Sequence, residues 1–232
     1  MILAAGRGER MRPLSDATPK PLLFAGGRPL IAWQIEALAR AGFRDIVVNV
    51  AHGTERMIAV LGDGASLGVR ILWSREPEPL ETAGGVATAS PLLARGAALI
   101  VSGDIWTRFD YASLRERMRA IDEEAAAPRV HLVMVPNPSY HPAGDFAVES
   151  GRIALEGAER LTFGNIGVYD TALFRGLPRG VKLKMLPLYR EWIAAGLVSG
   201  ERYDGPWANV GTPADLAALD AGLRKWGAGP QY

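Results

Sequence analysis

The sequence predicts an α/β protein built on a doubly wound sheet, and three observations carry that reading. Short apolar runs alternate with helical periodicity through the N-terminal half, as parallel strands joined by crossover helices do. The runs at 45–50 and 98–101 are almost continuously apolar, as strands covered on both faces must be. Past residue 145 the pattern becomes strand, turn, strand around Ser150-Gly151, a two-residue hairpin signal that adds an antiparallel element.

Met1-Ile2-Leu3 is a short lead-in for a strand, since strands usually run about five or six residues; the expectation is that the natural start lies a few residues upstream. A loop with Gly6 and Gly8 follows. Residues 29–42 read as a helix, with Ile31, Ile35 and Leu38 on one stripe, Pro29 at its start and Gly42 at its end. Residues 45–50 form a buried strand, 54–61 a short helix and 69–73 a third strand. The segment 78–86 is a turn leading into a helix through Leu93, and 98–101 is a fourth strand ending in Ser102-Gly103-Asp104. Residues 111–126 make a charged, solvent-facing helix and 129–136 another apolar strand. Phe146–Glu149 and Arg152–Leu155 pair as the hairpin, and a terminal helix runs from Pro213 to Trp226 with Thr212 as its cap. The tail 227–232 is expected to be disordered. No repeat, low-complexity tract or linker interrupts the chain, which reads as a single domain, 1–232, with halves of about 1–106 and 107–232.

Composition narrows the function classes. The 232 residues carry a net charge of +1 and no cysteine, which excludes disulfides and thiolate metal sites. The basic residues are interspersed with acidic ones, so no nucleic-acid partner is expected. No stretch is long and apolar enough to span a membrane, and the start lacks a charged segment before an apolar core, so a cytoplasmic enzyme is expected.

The chemistry concentrates in Leu3-Ala4-Ala5-Gly6-Arg7-Gly8-Glu9-Arg10-Met11-Arg12-Pro13-Leu14, continued by Thr18-Pro19-Lys20-Pro21. Glycines without a Cβ let backbone N–H groups approach a phosphate, and Arg7, Arg10, Arg12 and Lys20 supply charge for a polyphosphate. The Walker loop is excluded because no Gly-Lys dipeptide occurs. The dinucleotide fingerprint, and with it an NAD-dependent dehydrogenase, fails because Met11 stands where a third small residue is needed and a helix stands where the ribose carboxylate is needed.

The stretch resembles, nearly letter for letter, the opening motif of the sugar-1-phosphate nucleotidylyltransferases, L-A-A-G-x-G-x-R-M-x-P followed by P-K-P-L. That resemblance implies a Rossmann-like open twisted mixed sheet flanked by helices, the nucleotidyltransferase fold, with a hairpin-containing half for the sugar. It implies nucleotide binding by Leu3, Ala4, Ala5, Gly6, Gly8, Glu9, Arg10 and Lys20. Leu80-Glu81-Thr82-Ala83-Gly84-Gly85 by itself reads as a helix start capped by Thr82. It also resembles the family's L-x-T-A-G-G, which assigns Leu80, Glu81, Thr82, Gly84 and Gly85 to the nucleobase and ribose.

For the sugar phosphate the same resemblance points to Asp145, Asn165 and Lys184, with Lys182 as the alternative lysine. Asp104 follows a buried strand at the end where open α/β sheets bind ligands, so it is the candidate Mg²⁺ ligand; its plainer reading is a turn residue after Gly103. Family members commonly carry W-x-D-x-G-T, with the aspartate as second ligand. This chain has Trp207-Ala208-Asn209-Val210-Gly211-Thr212, so Asn209 brings an oxygen but no charge, and a weaker metal site is expected.

The implied reaction is attack of a sugar 1-phosphate on the α-phosphorus of a nucleoside triphosphate, with Lys20 neutralising the α-phosphate and Arg12 the departing pyrophosphate. Across almost its whole length the chain resembles the short N-acetylmuramate α-1-phosphate uridylyltransferases of bacterial peptidoglycan recycling. Mannose-1-phosphate guanylyltransferases and glucose-1-phosphate thymidylyl- or uridylyltransferases share the first motif and remain alternatives. Asn209 keeps open a non-catalytic nucleotide-binding regulatory subunit, against which the retention of Arg12, Lys20 and Asp104 argues. Oligomeric state is not legible, and a monomer is the working expectation.

Overall fold

The computed structural model describes residues 1–227; 228–232, nearly all of the tail expected to be disordered, lie outside the described residues. The chain forms two compact units. A loop unit comprises residues 2–79, 102–108 and the segment from 207 onward, and a hairpin unit comprises Met1, 80–101 and 109–206.

In the loop unit, strands Arg70–Arg75, Asp45–Val50 and Ile2–Leu3 lie side by side and all parallel, with Asp45 opposite Arg70 and Ile2 opposite Val48. Every residue of Asp45–Val50 except the first is buried, which explains its continuous apolar run. Helix Leu30–Arg40 buries the expected stripe of Ile31, Ile35 and Leu38. Its expected start, Pro29, instead closes a small hairpin, Phe24–Ala25 with Arg28–Pro29, that turns through Gly26 and Gly27 at φ 60 and 78. Helix Thr54–Leu61 has the expected bounds. The terminal helix Pro213–Gly227 starts behind a reciprocal cap: Asp215 N donates to Thr212 Oγ1 at 3.2 Å while Thr212 N donates to Asp215 Oδ2 at 2.8 Å. Leu216 and Leu223 of this helix join Met11, Leu23, Ala25, Leu30, Trp106 and Val210 in one buried cluster, so the phosphate-loop residue Met11 is an anchor of the core.

In the hairpin unit the long strand Arg160–Asp170 pairs antiparallel with Ala97–Ser102 and with Val130–Val135. Val198–Arg202 runs parallel to Val130–Val135 and is followed by Arg152–Ala154 and Phe146–Glu149, so this sheet is mixed. The hairpin turns through Ser150 and Gly151 at φ 49 and 76, the doubly left-handed turn that such two-residue loops favour. Tyr169, Tyr189, Phe146, Phe163, Phe174 and Trp192 pack edge to face in one group. At its centre Tyr169 Oη meets Tyr189 Oη at 2.5 Å, and burial pushes both phenols well up.

Several expected bounds shift for identifiable reasons. The third strand is Arg70–Arg75. The charged segment splits into a 3₁₀ turn, Tyr111–Leu114, and a helix, Arg115–Glu123, because Tyr111 and Leu114 are drawn into the core. The helix expected after Val86 already begins at Glu81 and ends at Ala89, with a 3₁₀ turn at Ser90–Leu92; Pro91 lacks the N–H that would continue it. Strand Val198–Arg202 goes unforeseen because Val198 is its only large apolar residue and Gly200 stands at its centre. A Cβ there would meet Ile153 Cδ1 at 2.4 Å, so the glycine makes room for Ile153.

Candidate active site

The loop after Ile2–Leu3 commits the carbonyls of Gly8 and Glu9 to its own backbone and to Ser15. Gly8, at φ 63, precedes a 3₁₀ turn over Glu9–Met11. Its carbonyl accepts from Met11 N and Ser15 Oγ, both at 2.8 Å, and the Glu9 carbonyl accepts from Arg12 N at 3.3 Å. With those carbonyls committed, an anion approaching the loop meets N–H groups and guanidinium side chains. A Cβ on Gly8 would stand 3.0 Å from Lys20 Cβ, whereas a Cβ on Gly6 would meet nothing within 4 Å. Gly8 therefore lets Lys20 pack against the loop, and Gly6 borders open space.

Two buried residues that the sequence reading missed hold the strand end. Ala4 N donates to Asn49 Oδ1 at 2.9 Å, and Asn49 Nδ2 donates to Glu76 Oε1 at 2.7 Å. Gly103 N ties the other side, donating to Leu3 O at 2.9 Å. Ala4 and Ala5 are buried, so their small side chains belong to the core. The only sequence hint of Asn49 was a polar residue inside an apolar strand.

Lys20 lies in a short 3₁₀ turn between its prolines, 9% exposed. A Cβ on Gly53 would meet Pro19 Cγ at 2.3 Å, so Pro19 is seated on the Gly53 turn. Lys20 Nζ donates to Asp104 Oδ2 at 2.6 Å, which brings together two residues far apart in sequence. Asp104 heads the strand Ile105–Thr107, which pairs antiparallel with Trp207–Asn209; Val210 N donates to Asp104 O at 2.9 Å and Asn209 lies opposite Ile105. The two expected metal ligands thus sit at adjacent positions of one ribbon. Among the described residues no three His, Asp or Glu side chains gather into a metal cage. A sparse pair of oxygen donors beside a cation suits magnesium that takes its remaining ligands from phosphates and water.

Arg7, Arg12, Ser15, Asp16 and His52 line a cavity of about 260 Å³ beside this loop. Arg12 Nε reaches Asp16 Oδ1 at 3.1 Å across it, both side chains mostly exposed. Arg10 is placed differently: a Cβ on Gly211 would meet its guanidinium at 3.2 Å, so the glycine of V-G-T is the seat for Arg10.

The remaining candidates lie in the hairpin unit. Leu80 N-caps the helix Glu81–Ala89, with Glu81 at φ 62, a strained setting for a residue with a Cβ; Thr82 is inside the helix and is not its cap. Ala83 N and Gly84 N donate to Leu183 O at 3.0 and 3.2 Å, Leu183 N donates to Leu80 O at 3.0 Å, and a Cβ on Gly84 would meet Val181 O at 2.2 Å. Lys184, at the N-cap of helix Met185–Ala194, is held beside the 80–84 turn by these bonds. Asp145 Oδ2 accepts from Phe163 N at 2.8 Å. Asn165, two residues along that strand at φ 57, lies in a bulge between Phe163 and Gly167. No hydrogen bond among the described residues ties Lys184 to Asp145.

The nucleotidyl transferase family model matches residues 1–143. An N-acetylmuramate alpha-1-phosphate uridylyltransferase of Neisseria meningitidis is 42% identical over 97% of this chain and 98% of its own length. One from Caulobacter vibrioides is 31% identical over 96% of each. The solved structure of the inositol-1-phosphate CTP transferase from T. maritima superposes with a TM-score of 0.76 at 18% identity, covering 97% of this chain and 93% of that one, a likeness of fold.

Proposed function

The chain belongs to the nucleotidyl transferase family, and on that premise we propose that it transfers the uridylyl group of UTP to N-acetylmuramic acid α-1-phosphate, giving UDP-N-acetylmuramic acid and pyrophosphate. The observation that carries the reaction is the Lys20–Asp104 contact of 2.6 Å, with Lys20 packed against Gly8 of a loop that commits its Gly8 and Glu9 carbonyls internally. The base and sugar come from the relatives of nearly the same length. The setting that follows is reuse of cell-wall sugars in the cytoplasm.

In this reading an oxygen of the sugar phosphate attacks the α-phosphorus in line, the bond to the bridging oxygen breaks, and pyrophosphate leaves. No general base is needed, because a phosphate monoester with a second pKa of about 6 is largely dianionic near neutral pH. Catalysis is positioning and charge neutralisation. Lys20, held ready by Asp104, meets the α-phosphate; Arg12 and the N–H groups of Gly8, Glu9 and Arg10 receive the departing pyrophosphate. Asp104 and Asn209 would hold magnesium, which supplies further neutralisation of phosphate charge when bound. Leu80, Glu81, Thr82, Gly84 and Gly85 are assigned to the nucleoside, and Asp145, Asn165 and Lys184 to the sugar phosphate.

Pyrophosphate release with Mg²⁺, measured across four nucleoside triphosphates and several sugar 1-phosphates with Asp104→Ala as the blank, tests the assignment. Turnover confined to UTP with N-acetylmuramic acid 1-phosphate is expected. Turnover confined to GTP with mannose 1-phosphate, or to another pair, would overturn the substrate, and none with any pair would overturn the activity.

A further inference from the structure

We propose that His141 is the positioning residue of the sugar-phosphate site, fixing the Asp145 carboxylate so that its remaining lone pairs face the sugar's hydroxyl and amide donors. The proposal rests on the assignment of Asp145 to the sugar. His141 Nε2 lies 3.1 Å from Asp145 Oδ1, while Oδ2 accepts the Phe163 N–H at 2.8 Å. An ionised carboxylate only accepts, so Nε2 carries the proton in this pair. Each oxygen then has one lone pair committed and one left, on a side chain still 37% exposed, which leaves two acceptors with a fixed separation and direction.

The loop that carries His141 is built to hold it there. His141 N donates to Pro138 O at 2.9 Å and Gly144 N to His141 O at 3.3 Å, closing two successive turns. Asn137 Nδ2 donates to Pro142 O and Arg160 O, at 3.1 and 2.9 Å, and Asn137 Oδ1 accepts from Thr162 Oγ1 at 2.9 Å. Asp145 is stitched to the adjacent strand by its N–H to Leu161 O at 2.8 Å and by Arg160 Nη2 to its carbonyl at 2.6 Å. Gly144, at φ 61, allows this close approach, since a Cβ there would stand 2.8 Å from Asn137 Oδ1 and 2.9 Å from the Arg160 carbonyl. With the backbone of Asp145 fixed by Leu161 and Arg160 and its Oδ2 held by the Phe163 N–H, the His141 bond fixes the remaining oxygen and with it the rotation of the carboxylate. Ordering an acceptor before the ligand arrives lowers the cost of binding.

Steady-state kinetics of His141→Ala and His141→Gln beside wild type test the assignment. The alanine variant is expected to raise KM for the sugar 1-phosphate about tenfold, the cost of one lost charge-assisted hydrogen bond, with kcat and KM for UTP within about twofold. The glutamine variant, whose amide N–H can donate to the same carboxylate oxygen, is expected to recover most of the loss. An unchanged sugar KM in a folded His141→Ala protein would overturn the proposal. So would a rise in both KM values together with a fall in Tm, which marks a purely structural residue. Wild-type inactivity with every sugar phosphate would overturn the functional reading itself, and this proposal with it.

Discussion

Gly6 and Gly8 occupy similar places in the motif and meet different surroundings. Gly8 holds φ 63 and packs its Cα face on Lys20, while Gly6 borders open space. Gly8→Ala is therefore expected to destabilise the protein by about 1–2 kcal/mol, the cost of a Cβ in the left-handed region, and to displace Lys20. Gly6→Ala is expected to leave stability unchanged and to raise KM for the nucleotide, because its Cβ enters the space through which phosphate approaches the backbone. Thermal unfolding and nucleotide kinetics of the two variants check this, and equal losses of stability would contradict it. At the same scale, Lys20 and Asp104 were each singled out from the sequence, but their mutual contact was not foreseen. They lie 84 residues apart, and nothing local in either segment encodes which cation meets which carboxylate. Asn49 and Glu76 escaped for a related reason: in one dimension Asn49 looks like an imperfection in an apolar strand and Glu76 like a surface charge after a strand end.

The terminal helix shows how one element supports the site without touching it. Asp220 Oδ1 accepts from Gly26 N at 2.8 Å and Oδ2 from Arg224 Nε at 2.8 Å, and a Cβ on Gly26 would stand 2.8 Å from Leu223 Cβ. The helix is thereby clamped onto the 24–29 hairpin and onto the cluster that contains Met11. The Gly26 N–H, and after it Arg224, hold the Asp220 carboxyl below its usual range. A depressed carboxyl contributes stability above its unfolded pKa of about 3.9 and loses it as pH falls through the folded value. Asp220→Asn is therefore expected to lower Tm at pH 7, with the two proteins converging as pH falls through the folded value; a gap that persists in strong acid would contradict the clamp. Elements with strong local signals, such as Asp45–Val50, Thr54–Leu61 and the Ser150-Gly151 turn, were readable from the sequence because one period and one turn type suffice. Phe24–Ala25 with Arg28–Pro29 carried an equally plain Gly-Gly turn that the reading passed over. Val198–Arg202 was not readable, since Gly200 serves a neighbour's side chain and not its own strand's pattern. The Thr82-Ala83-Gly84-Gly85 segment lies inside the helix Glu81–Ala89, and the reason for glycine at 84, the crowding of Val181 O against it, is a constraint that only the folded chain supplies.

For the molecule as a whole, a net charge of +1 means that the proposed attraction for a polyphosphate would have to come from local placement of the cations in the 6–20 segment. No helix among the described residues is long and apolar enough to cross a membrane. The reaction class was legible because a dense motif, two glycines, three arginines and a proline-flanked lysine, lies within one short stretch. The substrate was less so, because the residues proposed for the sugar are spread over the 137–145 loop, the bulged strand Arg160–Asp170 and the segment before Met185–Ala194, where each residue alone reads as ordinary surface. In the proposed reaction, charge neutralisation at the α-phosphorus by a Lys20 already held by Asp104 drives the transfer. Single-turnover product formation by Lys20→Ala, with folding checked by circular dichroism and nucleotide binding measured separately, tests it most directly. A fall of roughly a hundredfold or more in the chemical step, on the scale of losing one preorganised group at a developing charge, with the fold intact, is the predicted result. A rate within a few-fold of wild type would contradict the claim.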